Sequence, residues 1–160
     1  MRLWHIDIIP YLPNSQLIAQ WRELNSIFKK QDKHILINYI YNYDKAYLLD
    51  YTTCVLNEMH KRSITIRSFE NYNNYFTGVK QADKVLRYPE HDNDYLHICF
   101  HNLKEKYIRG QKDFSAKTFA ELTNFYLTNA RFDVIIAPRR MRWRRLTIYT
   151  ELKCIIFLTE

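Results

Sequence analysis

The stretch of sequence that decides the fold is QLIAQWREL, residues 16–24. Its apolar side chains, and those just after it, recur at steps of three and four residues, which places them on one face of an α-helix. This apolar stripe consists of Leu17, Ile18, Trp21, Leu24, Ile27 and Phe28. Asn14 or Ser15 can cap the start of the helix with a side-chain oxygen. The pattern therefore predicts a helix over residues 14–29.

Two charged residues, Arg22 and Glu23, stand at the edge of this stripe. Because of that position, we expect at least one of them beside buried surface. A carboxylate next to an arginine is commonly a structural ion pair, worth under about 1 kcal/mol at a protein surface. The same carboxylate is also able to stabilise a positive charge that develops during a reaction. The residues alone leave both interpretations open.

The overall composition is that of one basic globular domain. The chain has 160 residues, 47% hydrophobic and 26% charged, with a formal net charge of +7 that favours an anionic partner such as nucleic acid. No apolar run approaches the roughly 20 residues of a membrane span, so we expect no membrane association. The three cysteines form no CxxC pair, which favours reduced thiols and a cytoplasmic location.

Several kinds of site are excluded or disfavoured by the sequence. Gly78 and Gly110 are the only glycines, which is too few for a phosphate-binding loop, a dinucleotide site or a nucleophile elbow. His97 and His101 are four residues apart on a predicted helix, a spacing that suits a metal ion. No carboxylate or thiolate shares their face, so we expect neither a metal nor any other cofactor.

The rest of the chain predicts an apolar N-terminal arm and further helices. Residues 1–13 contain Leu3, Trp4 and three isoleucines, so this arm is expected to pack against the body of the protein. Residues 33–41 are expected to form a packed connection. The other predicted helices share an apolar stripe. They cover residues 43–62, a short segment at 79–87, the segment capped by Asp92 or Asn93 that ends by Gly110, and residues 116–129.

The end of the chain differs from the rest. Residues 133–137 and 146–158 have the pattern of strands, which predicts a short β-hairpin in the C-terminal extension. Between them, five arginines surround Trp143 within residues 139–145. Such a cluster is either a phosphate-binding patch with a stacking tryptophan or a solvated loop between two strands.

Several motifs occur in a defined order over the first 110 residues. They are MRLWH at the start, QLIAQWREL, the pattern RELxxxFxxxxKH that ends at Lys33-His34, Tyr43-Asp44-Lys45, LNEMHKR at residues 56–62, and YPEH at residues 88–91 followed by Tyr95-Leu96. Through this order and spacing, residues 1–110 resemble the pyrimidine-dimer DNA glycosylases, the endonuclease V family of phages and its bacterial branch. The resemblance implies a mainly α fold, a compact helical single domain whose N-terminal arm packs between helices. Residues 111–160 then form an extension of unknown role.

The resemblance also implies an activity, namely a DNA repair glycosylase with AP-lyase activity on pyrimidine dimers in double-stranded, UV-damaged DNA. In the family the terminal α-amine attacks the sugar C1′ of the damaged nucleotide, and the nucleobase is released. A Schiff base forms between the amine and C1′, and β-elimination then cuts the strand. Such a protein acts as a monomer without a small-molecule cofactor. Transferred to this sequence, the catalytic residues are Met1 and Glu23. The DNA-binding residues are Arg2, Gln16, Arg22, Lys33 and His34.

Two positions depart from the family pattern. Arg2 is too bulky to allow removal of the initiator methionine, so the free amine is that of Met1 rather than that of a small second residue. Asn25-Ser26 follows REL where the phage proteins carry another arginine. These departures favour an alternative, a catalytically silent nucleic-acid-binding helical domain of the same fold. A third hypothesis is an unrelated helical interaction protein in which Arg22 and Glu23 form a surface ion pair.

Overall fold

The computed structural model describes residues 2–31, 34–82 and 84–131, and within these ranges the chain is helical without any strand. The α-helices are α1 (Asn14–Lys29), α2 (Lys45–Lys61), α3 (Glu70–Tyr75), α4 (Asn93–Ile108) and α5 (Ala116–Asn129). Two 3-10 helices, Ile6–Tyr11 and Asn38–Asn42, precede α1 and α2. The predicted mainly α fold is confirmed. None of the helices in these ranges combines the length and the apolar character that crossing a lipid bilayer requires.

The long helices lie where their apolar stripes predict them, and α1 and α5 have the predicted bounds. The short helix predicted at residues 79–87 is wrong, because the described residues of that range form no helix. Instead, the Leu86 backbone N–H donates to the buried carboxylate of Asp50 on α2 at 2.8 Å. The predicted hairpin at 133–158 and the arginine cluster at 139–145 lie outside the described residues.

Helix α1 begins with a cap that local sequence does not reveal. Pro13 occupies the N-cap position, and no side chain of the helix start caps an amide. Asp113, in the connection between α4 and α5, accepts hydrogen bonds from the Ser15 backbone N–H at 2.6 Å and from the Ser15 hydroxyl at 3.0 Å. A carboxylate at a helix N-terminus is favoured by both the free amides and the helix dipole.

The N-terminal arm, residues 2–12, is part of the core. Leu3, Ile8, Ile9 and Leu12 are almost inaccessible to solvent. The 3-10 helix Ile6–Tyr11 within the arm contacts α2, α4 and α5. The predicted packing of this arm between helices is therefore confirmed.

The start of the arm has no regular secondary structure, so its buried backbone groups need partners from elsewhere. Side chains of the surrounding helices supply them. The bonds run from the Tyr95 hydroxyl to the Leu3 carbonyl (2.5 Å), from the Trp4 N–H to Gln20 Oε1 (3.0 Å), from the Tyr51 hydroxyl to the Trp4 carbonyl (2.9 Å), and from the His5 N–H to Cys99 Sγ (3.4 Å). Side chains from three helices thus bind one stretch of irregular backbone.

A partly buried histidine, His91, continues this network. His91 Nδ1 accepts the Ile6 N–H at 3.3 Å, and its Nε2 lies 2.8 Å from the Tyr39 hydroxyl. Because Nδ1 accepts a hydrogen bond, the ring is neutral and carries its proton on Nε2. Burial, followed by repulsion from His5, lowers the pKa of His91 to about 3. Burial likewise lowers the pKa of His5, whose Nε2 lies 2.9 Å from the His91 carbonyl oxygen.

The far end of the arm is fixed by Arg62, just beyond α2. Its guanidinium donates to the carbonyl oxygens of Pro10 and Leu12 at 2.7 and 2.5 Å. Glu58 accepts from Nε of the same side chain at 2.7 Å. The arm is therefore held at both ends, by hydrogen bonds to its backbone.

Replacing Tyr51 with phenylalanine should destabilise the protein, because the buried Trp4 carbonyl loses its donor. We expect a loss of about 1–3 kcal/mol in the free energy of unfolding, measured by urea denaturation. Tyr107→Phe is the matched control, since its hydroxyl forms no hydrogen bond within the described ranges. Equal stability of the two variants would contradict the role assigned to Tyr51.

The stability of the protein should decrease as the pH falls below about 6.5, where a histidine of the unfolded chain takes up a proton. Folded His91 stays neutral down to about pH 3, so acid favours the unfolded state. We expect His91 to contribute a slope of up to about 1.4 kcal/mol per pH unit between pH 6.5 and 5. His91→Asn keeps a hydrogen-bond acceptor but does not titrate, so the free energy of unfolding should depend less steeply on pH in this variant. An unchanged slope in this variant would refute the assignment.

Candidate active site

A cleft of about 290 Å³ opens beside the start of the arm, between α1, α4 and the turn at residues 34–37. Four of the predicted site residues line it. They are Arg2, Gln16, Glu23 and His34. Residues from the arm, from α1 and from the turn after it therefore face one space.

Glu23 lies where the arm begins. Its side chain is partly buried, and Oε2 accepts a hydrogen bond from the Arg2 backbone N–H at 3.2 Å. Gln16, Gln20 and Glu23 follow one another at helical spacing, so one edge of α1 presents them all to the cleft. Glu23 is the one acidic group among the residues that line the cleft. The permanently charged cations among these residues are Arg2 and Lys106.

Two buried donors at the cleft have no acceptor among the described residues. One is Nη1 of Arg2, whose guanidinium carbon lies 5.8 Å from the centre of the Trp4 ring. The other is Nε2 of Gln20, which is only 1% exposed. The orientation of this amide is fixed, because Oε1 must accept the Trp4 N–H. Both atoms are shielded from solvent, so each is an unpaired donor within the wall of the cleft.

Two other predicted DNA-binding residues are held in place by hydrogen bonds. Gln16 Nε2 donates to Gln111 Oε1 at 3.3 Å. His34 is exposed, and its Nδ1 accepts the Leu36 backbone N–H at 3.3 Å. Both side chains line the cleft, although Gln16 precedes Glu23 in the sequence and His34 follows it.

Arg22 points away from the cleft. It is exposed and is not among the lining residues, because neighbours on a helix diverge by about 100°. Arg22 and Glu23 form no ion pair with each other within the described structure. Met1 and Lys33, the remaining predicted site residues, lie outside the described residues.

The cleft also contains residues that the sequence interpretation missed. They are Trp4, Ala19, Gln20, Leu36, Asn102 and Lys106. The last two are one helical turn apart on α4, at the edge of its predicted apolar face. Nothing in the local sequence indicates that α4 approaches Glu23, because that approach depends on how Tyr95 and Cys99 bind the arm.

His97, considered above as a metal ligand, has other contacts. Its ring lies 2.6 Å from the Tyr126 hydroxyl and 3.0 Å from the Arg131 carbonyl oxygen. Over residues 2–31, 34–82 and 84–131, no group of three or more potential metal ligands occurs. His97 therefore joins α4 to α5 and to the residues that follow.

Comparison with known proteins supports an assignment for the N-terminal part of the chain. Residues 1–71 match the family model described as pyrimidine dimer DNA glycosylase, while residues 72–110 of the predicted resemblance lie beyond this match. No curated protein and no solved structure matches the chain significantly. The predicted resemblance to the pyrimidine dimer DNA glycosylases is therefore confirmed over residues 1–71, which carry the arm, α1 and α2.

Proposed function

We propose that this protein is a DNA glycosylase and AP lyase that acts on pyrimidine dimers in UV-damaged double-stranded DNA. The observation that carries the proposal is the 3.2 Å hydrogen bond between the Arg2 N–H and Glu23 Oε2. The Arg2 nitrogen is bonded covalently to residue 1, so three bonds separate the α-amine of Met1 from the atom that contacts the carboxylate. This covalent link limits how far the proposed nucleophile can lie from the carboxylate that we propose as its acid–base partner.

The proposed reaction begins with attack by the neutral α-amine. Such an amine has an ordinary pKa of about 8, so a useful fraction is unprotonated at neutral pH. The amine nitrogen forms a bond to C1′ of the damaged nucleotide while the bond from C1′ to the base breaks, and the base leaves with that electron pair. The nitrogen, now positively charged, loses a proton and so regains a lone pair. This pair expels the ring oxygen O4′ from C1′, the oxygen takes up a proton, and a protonated imine is formed.

Strand cleavage follows from the acidity that the imine confers. A base removes a proton from C2′, a double bond forms between C2′ and C3′, and the 3′ phosphate leaves with the electrons of the C3′–O bond. Glu23 stabilises the positive charge on the sugar and moves these protons.

Binding of the substrate fits the chemistry of the cleft. DNA phosphates are negatively charged, and the cationic side chains of Arg2 and Lys106 line the cleft. The exposed side chain of Arg22 on α1 adds positive charge to the surface around the site. We propose that the protein binds DNA in this way as a monomer and in the cytoplasm.

One observation favours a second candidate, a domain that binds nucleic acid but is catalytically silent. Asn25, at the position after REL, directs its side chain inwards. Its Nδ2 donates to the Trp21 carbonyl at 2.9 Å, and its Oδ1 accepts from Asn71 at 3.3 Å. This amide is therefore engaged within the protein, so a DNA contact at this position is lost.

Borohydride should trap the protein on damaged DNA, because it reduces the imine to a stable secondary amine. We expect a covalent adduct when purified protein, with its free N-terminus confirmed by mass spectrometry, is mixed with UV-irradiated duplex and borohydride. A variant extended by a short tag before Met1 is the control, since its terminal amine is displaced from Glu23. Neither adduct nor strand cleavage from the untagged protein would refute the enzymatic proposal in favour of the silent domain.

Glu23→Gln should abolish strand cleavage and leave the fold intact. The amide oxygen of glutamine still accepts the Arg2 N–H, whereas the charge and the ability to move protons are lost. We expect a decrease of about 100-fold or more in the cleavage rate, with an unchanged circular dichroism spectrum. The control is Glu121→Gln, an exposed glutamate on α5. If the Glu23 variant cleaves as fast as this control, Glu23 has only a structural role.

A further inference from the structure

Two consecutive apolar residues, Ile35 and Leu36, are exposed in the turn between α1 and the 3-10 helix Asn38–Asn42. Ile35 is 84% exposed and Leu36 is 42% exposed. The other large apolar side chains exposed in the described ranges stand singly in the sequence, for example Ile108 at the end of α4. Single exposed apolar residues are ordinary on protein surfaces, whereas an adjacent pair beside a candidate site suggests a partner.

The turn that carries this pair is held in place by hydrogen bonds and by a buried side chain. The Ile37 and Asn38 backbone N–H groups both donate to the His34 carbonyl, at 2.9 and 3.1 Å. The Ile37 side chain is completely buried and anchors the turn in the core. The exposed pair is thus carried by a hydrogen-bonded turn whose next residue is part of the hydrophobic core.

The position and the charge of the surroundings indicate the partner. Leu36 lines the same cleft as Glu23 and Arg2, so the pair stands at the mouth of the candidate active site. Lys29 and Lys30 are exposed at the end of α1, just before this turn, and Lys106 lines the cleft. An apolar tip within a basic surface complements a nucleic acid, which offers phosphates outside and stacked bases inside.

We propose that Ile35 and Leu36 form an apolar wedge that enters the base stack of DNA at the lesion. This inference rests on the proposed function, because C1′ of a stacked nucleotide is out of reach of a side chain or an amine in a cleft. Opening one base step costs a few kcal/mol, and an apolar side chain that fills the gap offsets part of this cost. Ile35 is β-branched and therefore stiff, which suits this task.

The test uses a duplex with one pyrimidine dimer and the fluorescent base 2-aminopurine next to it. Binding of the wild-type protein should unstack the 2-aminopurine and raise its fluorescence. Ile35→Ser should lose this rise, Ile35→Leu should restore it, and Ile108→Ser, the matched change outside the cleft, should retain it. Since Ile35 and Ile108 are 84% and 70% exposed, neither serine variant should affect folding.

A second measurement relates the wedge to the reaction. We compare the cleavage rate of the duplex with that of a single strand that carries an abasic site, where no base step has to be opened. In Ile35→Ser, the ratio of the two rates should fall about tenfold, because only the duplex requires unstacking. In Ile108→Ser the ratio should equal that of the wild type.

The possible outcomes separate the wedge from the proposed function. If Ile35→Ser matches the wild type in both fluorescence and rate ratio while the wild type cleaves, the wedge is refuted and the enzymatic proposal is supported. An equal loss on both substrates also refutes the wedge, since Ile35 then acts on general binding. If the wild type neither cleaves nor changes the fluorescence, both are refuted.

Discussion

A buried segment without regular secondary structure needs a partner for each backbone polar group, and the N-terminal arm meets this need with side chains. Gln20 on α1, Tyr51 on α2 and two residues of α4, Tyr95 and Cys99, bind consecutive groups of Leu3, Trp4 and His5. An unpaired buried group costs about 1–3 kcal/mol, so several such bonds are a large part of the stability of a small domain. The packing of three helices is consequently tied to the path of the arm.

The same bonds give the candidate site its geometry. A chain terminus is ordinarily mobile, and a mobile amine would have to lose that freedom each time it reacts. Here the hydrogen bond from Arg2 to Glu23, and the packing of Leu3 and Trp4 behind it, fix the chain one residue away from its start. Under the proposed function, the conformational entropy of the chain next to the reactive amine is therefore lost on folding and not when DNA binds.

The fold was largely predictable because its signals are local, whereas the site was predictable only in part. The stripe from Leu17 to Phe28 specifies α1 by spacing alone, and the resemblance added Arg2 and Glu23. Gln20 and Lys106 were missed, because their part in the cleft depends on how α4 and the arm meet. The cap of α1 by Asp113 and the absence of a helix at 79–87 are likewise tertiary effects.

Most of the bonds that hold the arm are asymmetric, although His5 and Asp7 of the arm contribute side chains to bonds with the rest of the protein. In the asymmetric bonds the arm contributes backbone atoms, which every sequence possesses. The body of the protein contributes particular side chains, such as Gln20 on α1, Tyr51 on α2 and His91 just before α4. The apolar positions of the arm can therefore change during evolution so long as the new side chains are apolar and fit, while the side chains that bind the arm cannot. In a chimaera, this body would accept a foreign apolar arm, but the same arm moved to a body without these side chains would lose its place and release the chain terminus into solvent.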